Sequence, residues 1–275
     1  MPAIITPQEM YHAEQRVISG GLSGFELMLR AGKAVADLLH AAYPTGDVSV
    51  LCGPGGNGGD GFVAAARLRE LGRRVFVFAL KPIETLNGDA QQAAALWSEP
   101  VESLEAFDVR ADGVVLDALF GGGLSRPLSG RVADLVNGIE GNLVAVDVPS
   151  GLDGARAEPL GVCFSADLTI TFAALRPAHV LSPGKAYCGR VEIVDIGVPV
   201  PDRVRTRESL APVASDVLQI IDAVDLNRMM DSIDHHPINQ IDAVRALAQH
   251  RSTTILLKSP EMIMAMPNGD VVVQR

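Results

Sequence analysis

What this sequence has little of narrows it first. It holds three cysteines, Cys52, Cys163 and Cys188, in 275 residues. They are odd in number, without a C-x-x-C pair or regular spacing, so a disulfide framework is not expected. The expected state is reduced, mostly buried thiols in a cytoplasmic protein. Positive charge is short as well: 23 Lys and Arg stand against 33 Asp and Glu, a net −10 with no basic cluster. That argues against a nucleic-acid or anionic-membrane surface, and neither is an expected partner. No apolar run reaches the length of a membrane span. The first fifteen residues are too polar for a secretory signal. Apolar residues are plentiful, at 48%, enough for a sizeable core.

The pattern of elements is the next signal. Helices are expected over residues 6–18, with Thr6 as cap, Pro7 in the first turn and Glu9 three residues on, and over residues 23–42. Strands are expected at 48–52, 74–80, 113–119, 142–148, 168–173 and 191–196. Helices at 62–71, 89–97 and 128–138 fall between them. Strands alternating with helices predict a Rossmann-like α/β fold, a three-layer αβα sandwich with a mostly parallel sheet. Residues 1–200 form this expected domain. After Pro201 the character changes. Residues 201–275 carry helical patterns at 222–230 and 241–250, a strand at 253–258 and a hairpin around Pro267-Asn268-Gly269-Asp270. They are expected to be a small irregular appendage that folds poorly alone.

Three loops at expected strand ends are rich in chemistry, where ligands bind in such sheets. The first, residues 53–60, has five glycines with Asn57 and Asp60. Glycine allows positive φ and close approach of backbone N–H groups to a ligand. No Lys-Ser/Thr follows, so it is not a Walker A loop. It matches G-x-G-x-x-G, but the second strand ends Ala79-Leu80-Lys81-Pro82 without the acid that a dinucleotide dehydrogenase uses on the ribose. The second loop begins at Asp117 and runs through Gly121-Gly122-Gly123-Leu124-Ser125-Arg126-Pro127. The third is Asp147-Val148-Pro149-Ser150-Gly151-Leu152-Asp153-Gly154. Asn57, Asp117 and Ser150 offer oxygen ligands suited to a hard cation; the alternative is that each Asp caps a helix or turn. Ser150 lies in Pro-Ser-Gly rather than a G-x-S-x-G elbow, so hydrolase chemistry is not expected. His235-His236 are adjacent, point apart on an extended chain, and lack the spacing of a metal pair.

The segments GPGGNGGDG, DALFGGGLSRPLSG and VDVPSGLDG, with ADLTITF at 166–172 and DIGVP at 195–199, closely resemble the NAD(P)H-hydrate epimerases, the YjeF N-terminal domain. The resemblance covers about residues 5 to 200. It implies a homodimeric Rossmann-like isomerase that interconverts the R and S forms of hydrated NADH and NADPH, in partnership with a dehydratase that accepts only the S form. It also implies site residues. Gly56, Asn57, Gly58, Gly59 and Asp60 would contact the substrate. Gly121, Gly122, Gly123, Leu124, Ser125, Arg126 and Pro127 would hold its diphosphate, and Asp147 would sit at the damaged ring. Asn57, Asp117 and Ser150 would bind a potassium ion. Epimerisation through loss and return of water needs a group that gives and takes a proton, and Asp147 is the catalytic candidate. A non-catalytic scaffold on the same fold is the competing reading.

Two positions depart from the family pattern: Gly56, where Asn is common, and Arg176, where Lys is common. Arg keeps the charge but changes reach and geometry. Residues 221–227, IDAVDLN, and 244–271 resemble fragments of the ADP-dependent dehydratase that is often fused behind the epimerase. The Gly-Ser-Gly-Asp segment of that enzyme does not follow, so no dehydratase activity is expected.

Overall fold

A computed structural model describes residues 2–108, 113–136, 138–139, 142–207, 218–233 and 235–274. Position 137, inside the expected helix at 128–138, lies outside the described residues.

Two helices lead the chain, α1 (Pro7–Ser19) and α2 (Gly24–Ala42). Thr6 caps α1 as its sequence predicts: the Glu9 N–H donates to Thr6 Oγ1 at 3.2 Å and the Thr6 N–H to Glu9 Oε2 at 2.7 Å. Seven strands then form one sheet: β1 (Val48–Cys52), β2 (Val75–Ala79), β3 (Val101–Ser103), β4 (Val114–Ala118), β5 (Asn142–Val146), β6 (Leu168–Phe172) and β7 (Arg190–Val194). Their spatial order is β3-β2-β1-β4-β5-β6-β7, and every neighbouring pair is parallel. The chain reverses direction of build between β1 and β4, the place where an open sheet leaves a crevice at its carboxyl ends.

Alternation along the strands makes the two outer layers. Val48, Val50 and Cys52 join a core with α1 and α2, while Leu51 joins a core on the other face. Val114 and Leu116 against Val115, and Val144 against Leu143, repeat the same two-residue period. The first face is covered by α1, α2, α3 (Gly56–Glu70) and α4 (Gly88–Ala94), the second by α5 (Arg131–Val136) with Phe107 and Phe164.

The structure corrects the reading of the first glycine loop. The helix expected from residue 62 begins at Gly56, so most of that loop is the first turns of α3. Positive φ is not what its glycines supply, since none of Gly53, Gly55, Gly56, Gly58, Gly59 and Gly61 has it. They supply closeness. A Cβ on Gly58 would lie 1.8 Å from the Gly53 carbonyl oxygen, and one on Gly61 would lie 2.6 Å from the Ala118 Cβ.

The tail is more regular than its composition suggests. Strands β8 (Val204–Arg207), β9 (Leu218–Asp222), β10 (Thr254–Lys258), β11 (Met262–Ala265) and β12 (Val271–Gln274) form a second, mixed sheet in the order β8-β12-β11-β10-β9. Two helices, α6 (Ala223–Met230) and α7 (Gln240–Arg251), accompany it. Ile241, Val244 and Leu247 of α7 pack with Ile255, Leu257 and Ile263. That core continues into Ile4, Leu152, Leu175 and Leu181 of the first 200 residues. An appendage short of apolar residues thus gains order by sharing a core. Glu261 fastens the join: its side chain is 2% exposed and accepts from Lys185 Nζ at 2.6 Å and Ser182 Oγ at 2.8 Å.

Candidate active site

The carboxyl ends of β1, β4, β5 and β6 border a cleft of about 630 Å³. Its walls come from the three glycine- and acid-rich loops, and α1 closes one side with Pro7, Met10, Tyr11 and Glu14.

Asp147 stands at the end of β5 and is the most tightly held group in the cleft. Its backbone takes a φ of 64°, and the Val148 N–H donates across it to the Val146 carbonyl at 2.9 Å. This is a γ-turn of the strained kind. A second one sits beside it at the end of β6, where Ala173 has a φ of 60° and the Ala174 N–H donates to Phe172 O at 2.7 Å. Each non-glycine residue in this region costs on the order of 1–3 kcal/mol, and such strain concentrates at functional sites.

Both oxygens of Asp147 are occupied. The Gly122 N–H donates to Oδ2 at 2.8 Å, and the Thr171 hydroxyl donates to Oδ1 at 3.1 Å. The Arg176 guanidinium, only 3% exposed, also reaches Oδ1 at 3.1 Å. Burial raises the carboxyl pKa, but Arg176, the Gly122 N–H, His179 and Thr171 together outweigh it and hold the pKa below the usual Asp range. Asp147 is therefore a carboxylate at neutral pH. His179 braces the turn from behind: its Nδ1 accepts from the Arg176 N–H at 3.0 Å, which leaves Nε2 to donate to the Asp147 carbonyl at 2.9 Å.

The other cleft carboxyls are pushed the opposite way. Burial raises Asp60 well above its ordinary value, and the nearby charges of Asp147 and Glu14 raise it further. Burial also raises Glu14, against the pull of Arg176 and with a push from Asp147. Groups of one chemical type with pKa values driven apart are the raw material of acid–base chemistry.

Beneath the cleft floor lies a second polar unit. Asp117, fully buried, accepts from the Ser150 N–H at 2.7 Å, the Ser150 hydroxyl at 2.7 Å and the Leu119 N–H at 3.2 Å. The Phe120 N–H donates to Ser150 Oγ at 2.9 Å. Burial pushes the Asp117 carboxyl up to about 6 although these three donors pull it down. No cationic side chain pairs with it among the described residues. Asn57, at the start of α3, lines the cleft above, and its Nδ2 is buried without a partner.

Most residues expected in one site do meet. Gly56, Asn57, Asp60, Gly121 to Arg126 and Asp147 line the same cleft. Gly58 and Gly59 do not; they are buried where α3 packs on Gly53 and on Met28. Pro127 borders a neighbouring groove that shares Phe120, Leu124 and Arg126 with the cleft. Sequence reasoning missed Glu14, Thr171 and His179 and gave Arg176 no role. A signal for Glu14 existed. Residues 7, 10, 11 and 14 share one helical face, and a carboxyl there interrupts an otherwise apolar stripe.

The family described as the YjeF-related protein N-terminus matches residues 24–178. A protein named NAD(P)H-hydrate epimerase in Rhodopirellula baltica is 36% identical over 189 residues, covering 65% of this chain and 78% of that protein. One of the same name in Roseobacter litoralis is 38% identical, covering 72% of this chain and all of the other. A bifunctional NAD(P)H-hydrate repair enzyme of Thermanaerovibrio acidaminovorans is 36% identical over 208 residues, and the match takes in 40% of its length. Among solved structures, that of yeast ynu0 has the same fold, with a TM-score of 0.57 at 23% identity, covering 63% of this chain and 82% of the yeast chain. Motifs, sheet order and family match agree, and the chain belongs to the YjeF-related N-terminal family.

Proposed function

We propose that this protein is an isomerase of metabolite repair. It interconverts the R and S forms of hydrated NADH and NADPH, so that a separate dehydratase can restore the cofactor. Relatives that carry the epimerase name align over most of their own length. The observation that carries the chemistry is the placement of an ionised Asp147 in a cleft walled by two glycine-rich loops.

The hydrated ring bears a hydroxyl on the carbon next to its nitrogen. Loss of that hydroxyl as water leaves an iminium cation, and water returning to the other face inverts the centre. The Asp147 carboxylate beside the ring stabilises the cation and takes the proton of the returning water. The N–H groups at the start of α3 and in residues 121–126 suit the diphosphate. The scaffold alternative gains no support, since the whole Asp147 cluster is built.

Asn57, Asp117 and Ser150 are the proposed potassium ligands. Their donors are all oxygens, which suits a hard cation. The buried Asp117 carboxylate is balanced only by neutral donors, and the orphaned Asn57 amide can turn its carbonyl oxygen instead. When bound, the ion supplies the positive charge that Asp117 lacks and ties the loops together. A homodimer and a cytoplasmic setting are further proposals. The resemblance supports the first, and three free buried thiols, two of them pushed up to about 12 by burial, support the second. Residues 201–275 are proposed to add no dehydratase activity.

The test is direct. Purified protein is given the R form of hydrated NADPH, and appearance of the S form is followed by chromatography and by a coupled dehydratase. Conversion well above the spontaneous rate is expected, and conversion no faster than buffer would end the proposal.

A further inference from the structure

Inversion at one carbon makes a geometric demand that Asp147 alone does not meet. The hydroxyl leaves one face of the ring, and water arrives at the opposite face. A side chain pinned by Gly122, Thr171 and Arg176 on the cleft floor serves one face only. The other face needs its own proton carrier.

We propose that Glu14 of α1 is that second catalytic residue, acting across the ring from Asp147. The inference rests on the epimerase reading and adds a residue outside every motif that carries it; α1 also precedes the matched family segment, which starts at residue 24. Glu14 faces the cleft from the helix wall while Asp147 rises from the strand ends. Among the described residues its carboxyl has no hydrogen bond or ion pair, although it is half-buried and lies in the field of Arg176. Such a carboxyl is left available for a ligand. The charged and titratable groups around it are Tyr11 on its own helix, Asp60 on α3, Arg126 on the second glycine loop, and Asp147 with Arg176 at the strand ends. Burial and Asp147 favour its neutral form against Arg176, so it holds a proton to a higher pH than a free Glu does.

The step balances. Neutral Glu14 gives its proton to the ring hydroxyl. The C–O bond breaks, its electron pair leaves with the oxygen as water, and the ring nitrogen lone pair closes the iminium. Water attacks the carbon from the Asp147 side, the iminium electron pair returns to nitrogen, and the spare proton goes to the Asp147 carboxylate. Exchange with solvent resets both carboxyls. In the reverse direction the two exchange roles. Nothing is oxidised or reduced.

The experiment compares wild type, Glu14→Gln and Glu14→Asp in R-to-S conversion from acid to alkaline pH, with thermal melts on each. Glu14→Gln is expected to lose kcat by about 100-fold or more, the scale of general acid catalysis, with KM changed little. The alkaline limb of the rate profile, which reports the acid, should vanish with it. Glu14→Asp should recover part of kcat, and it decides the question if the Gln variant folds badly. An active wild type whose Glu14 variants keep its kcat and its pH profile overturns the role of Glu14. A wild type with no conversion overturns the epimerase reading itself, and the two failures are distinct.

Discussion

At the scale of single residues, the site works by holding like groups in unlike states. Asp147 is kept charged by a buried guanidinium, while Glu14 and Asp60 are kept toward neutrality. For Asp147→Asn the structure predicts more than lost activity. The variant leaves Arg176, 3% exposed, without its carboxylate. Removing one partner of a buried pair costs roughly 3–5 kcal/mol. Activity should fall by about 100-fold or more, and the melting temperature should fall too; an unchanged melt would show that Arg176 is compensated elsewhere. The acid side of the pH profile follows from the same pairing. A carboxyl pKa depressed in the fold contributes stability that is present above its unfolded value and lost as pH falls through the folded one. The rate should therefore persist to pH below the ordinary Asp range, whereas the stability contribution is complete above that range and declines progressively as pH falls through it toward the folded value, as pH-dependent rates and melts will show. Asp147 was legible in the sequence because it starts a motif at a strand end. Arg176 and His179 were not, because their partners lie 29 and 32 positions away along the chain, and only the fold brings them together.

At the scale of elements, the glycine loop is the lesson. Its composition reads as a flexible phosphate cradle, whereas it is largely the first turns of α3 pressed on β1 and β4. Gly58→Ala would force backbone apart at Gly53 and should cost several kcal/mol, since overpacking typically costs about 1–3 kcal/mol even against side chains. Gly56→Asn, which restores the residue common in the family, meets open space and should melt within about 0.5 kcal/mol of wild type. Parallel melts of the two variants check this; equal destabilisation would refute the packing account. The cap of α1 was readable because Thr6 acts locally. The start of α3 was not, because no side chain caps it and glycine carries no helical periodicity.

At the scale of the whole molecule, the second sheet shares a core with part of the first 200 residues, and the proposed potassium ion would balance charge that the side chains leave unpaired. Adding potassium in place of a bulky organic cation, at fixed ionic strength, should raise the melting temperature. At a concentration about 100 times the dissociation constant the gain is about 2.7 kcal/mol. Asp117→Asn should abolish that gain, and an equal response in both proteins would remove the ion from this site. The junction with the tail offers a second check. Glu261→Gln weakens the contact with Lys185 and Ser182 and should destabilise by about 1–3 kcal/mol, visible as a lower melting temperature. Burial raises the Glu261 pKa, but Lys185 and Ser182 outweigh it, so this contribution is present above the ordinary Glu value and lost as pH falls below it.

The sequence by itself determined neither the short strand β3 nor the order of the strands, but it did determine the alternation of strands and helices, the mostly parallel sheet that follows from it, and the three loops that hold Asn57, Asp117, Asp147 and Ser150. Those features are local, written in period, caps and motif spacing. Only the tertiary structure decided that Glu14 shares the cleft with Asp147, that Asp117 lies beneath the floor rather than in it, and that the tail forms a sheet. Those depend on which distant surfaces pack together and which groups lose water when they do. Burial and pairing set the protonation of a carboxyl, and neither is a property of a residue on its own.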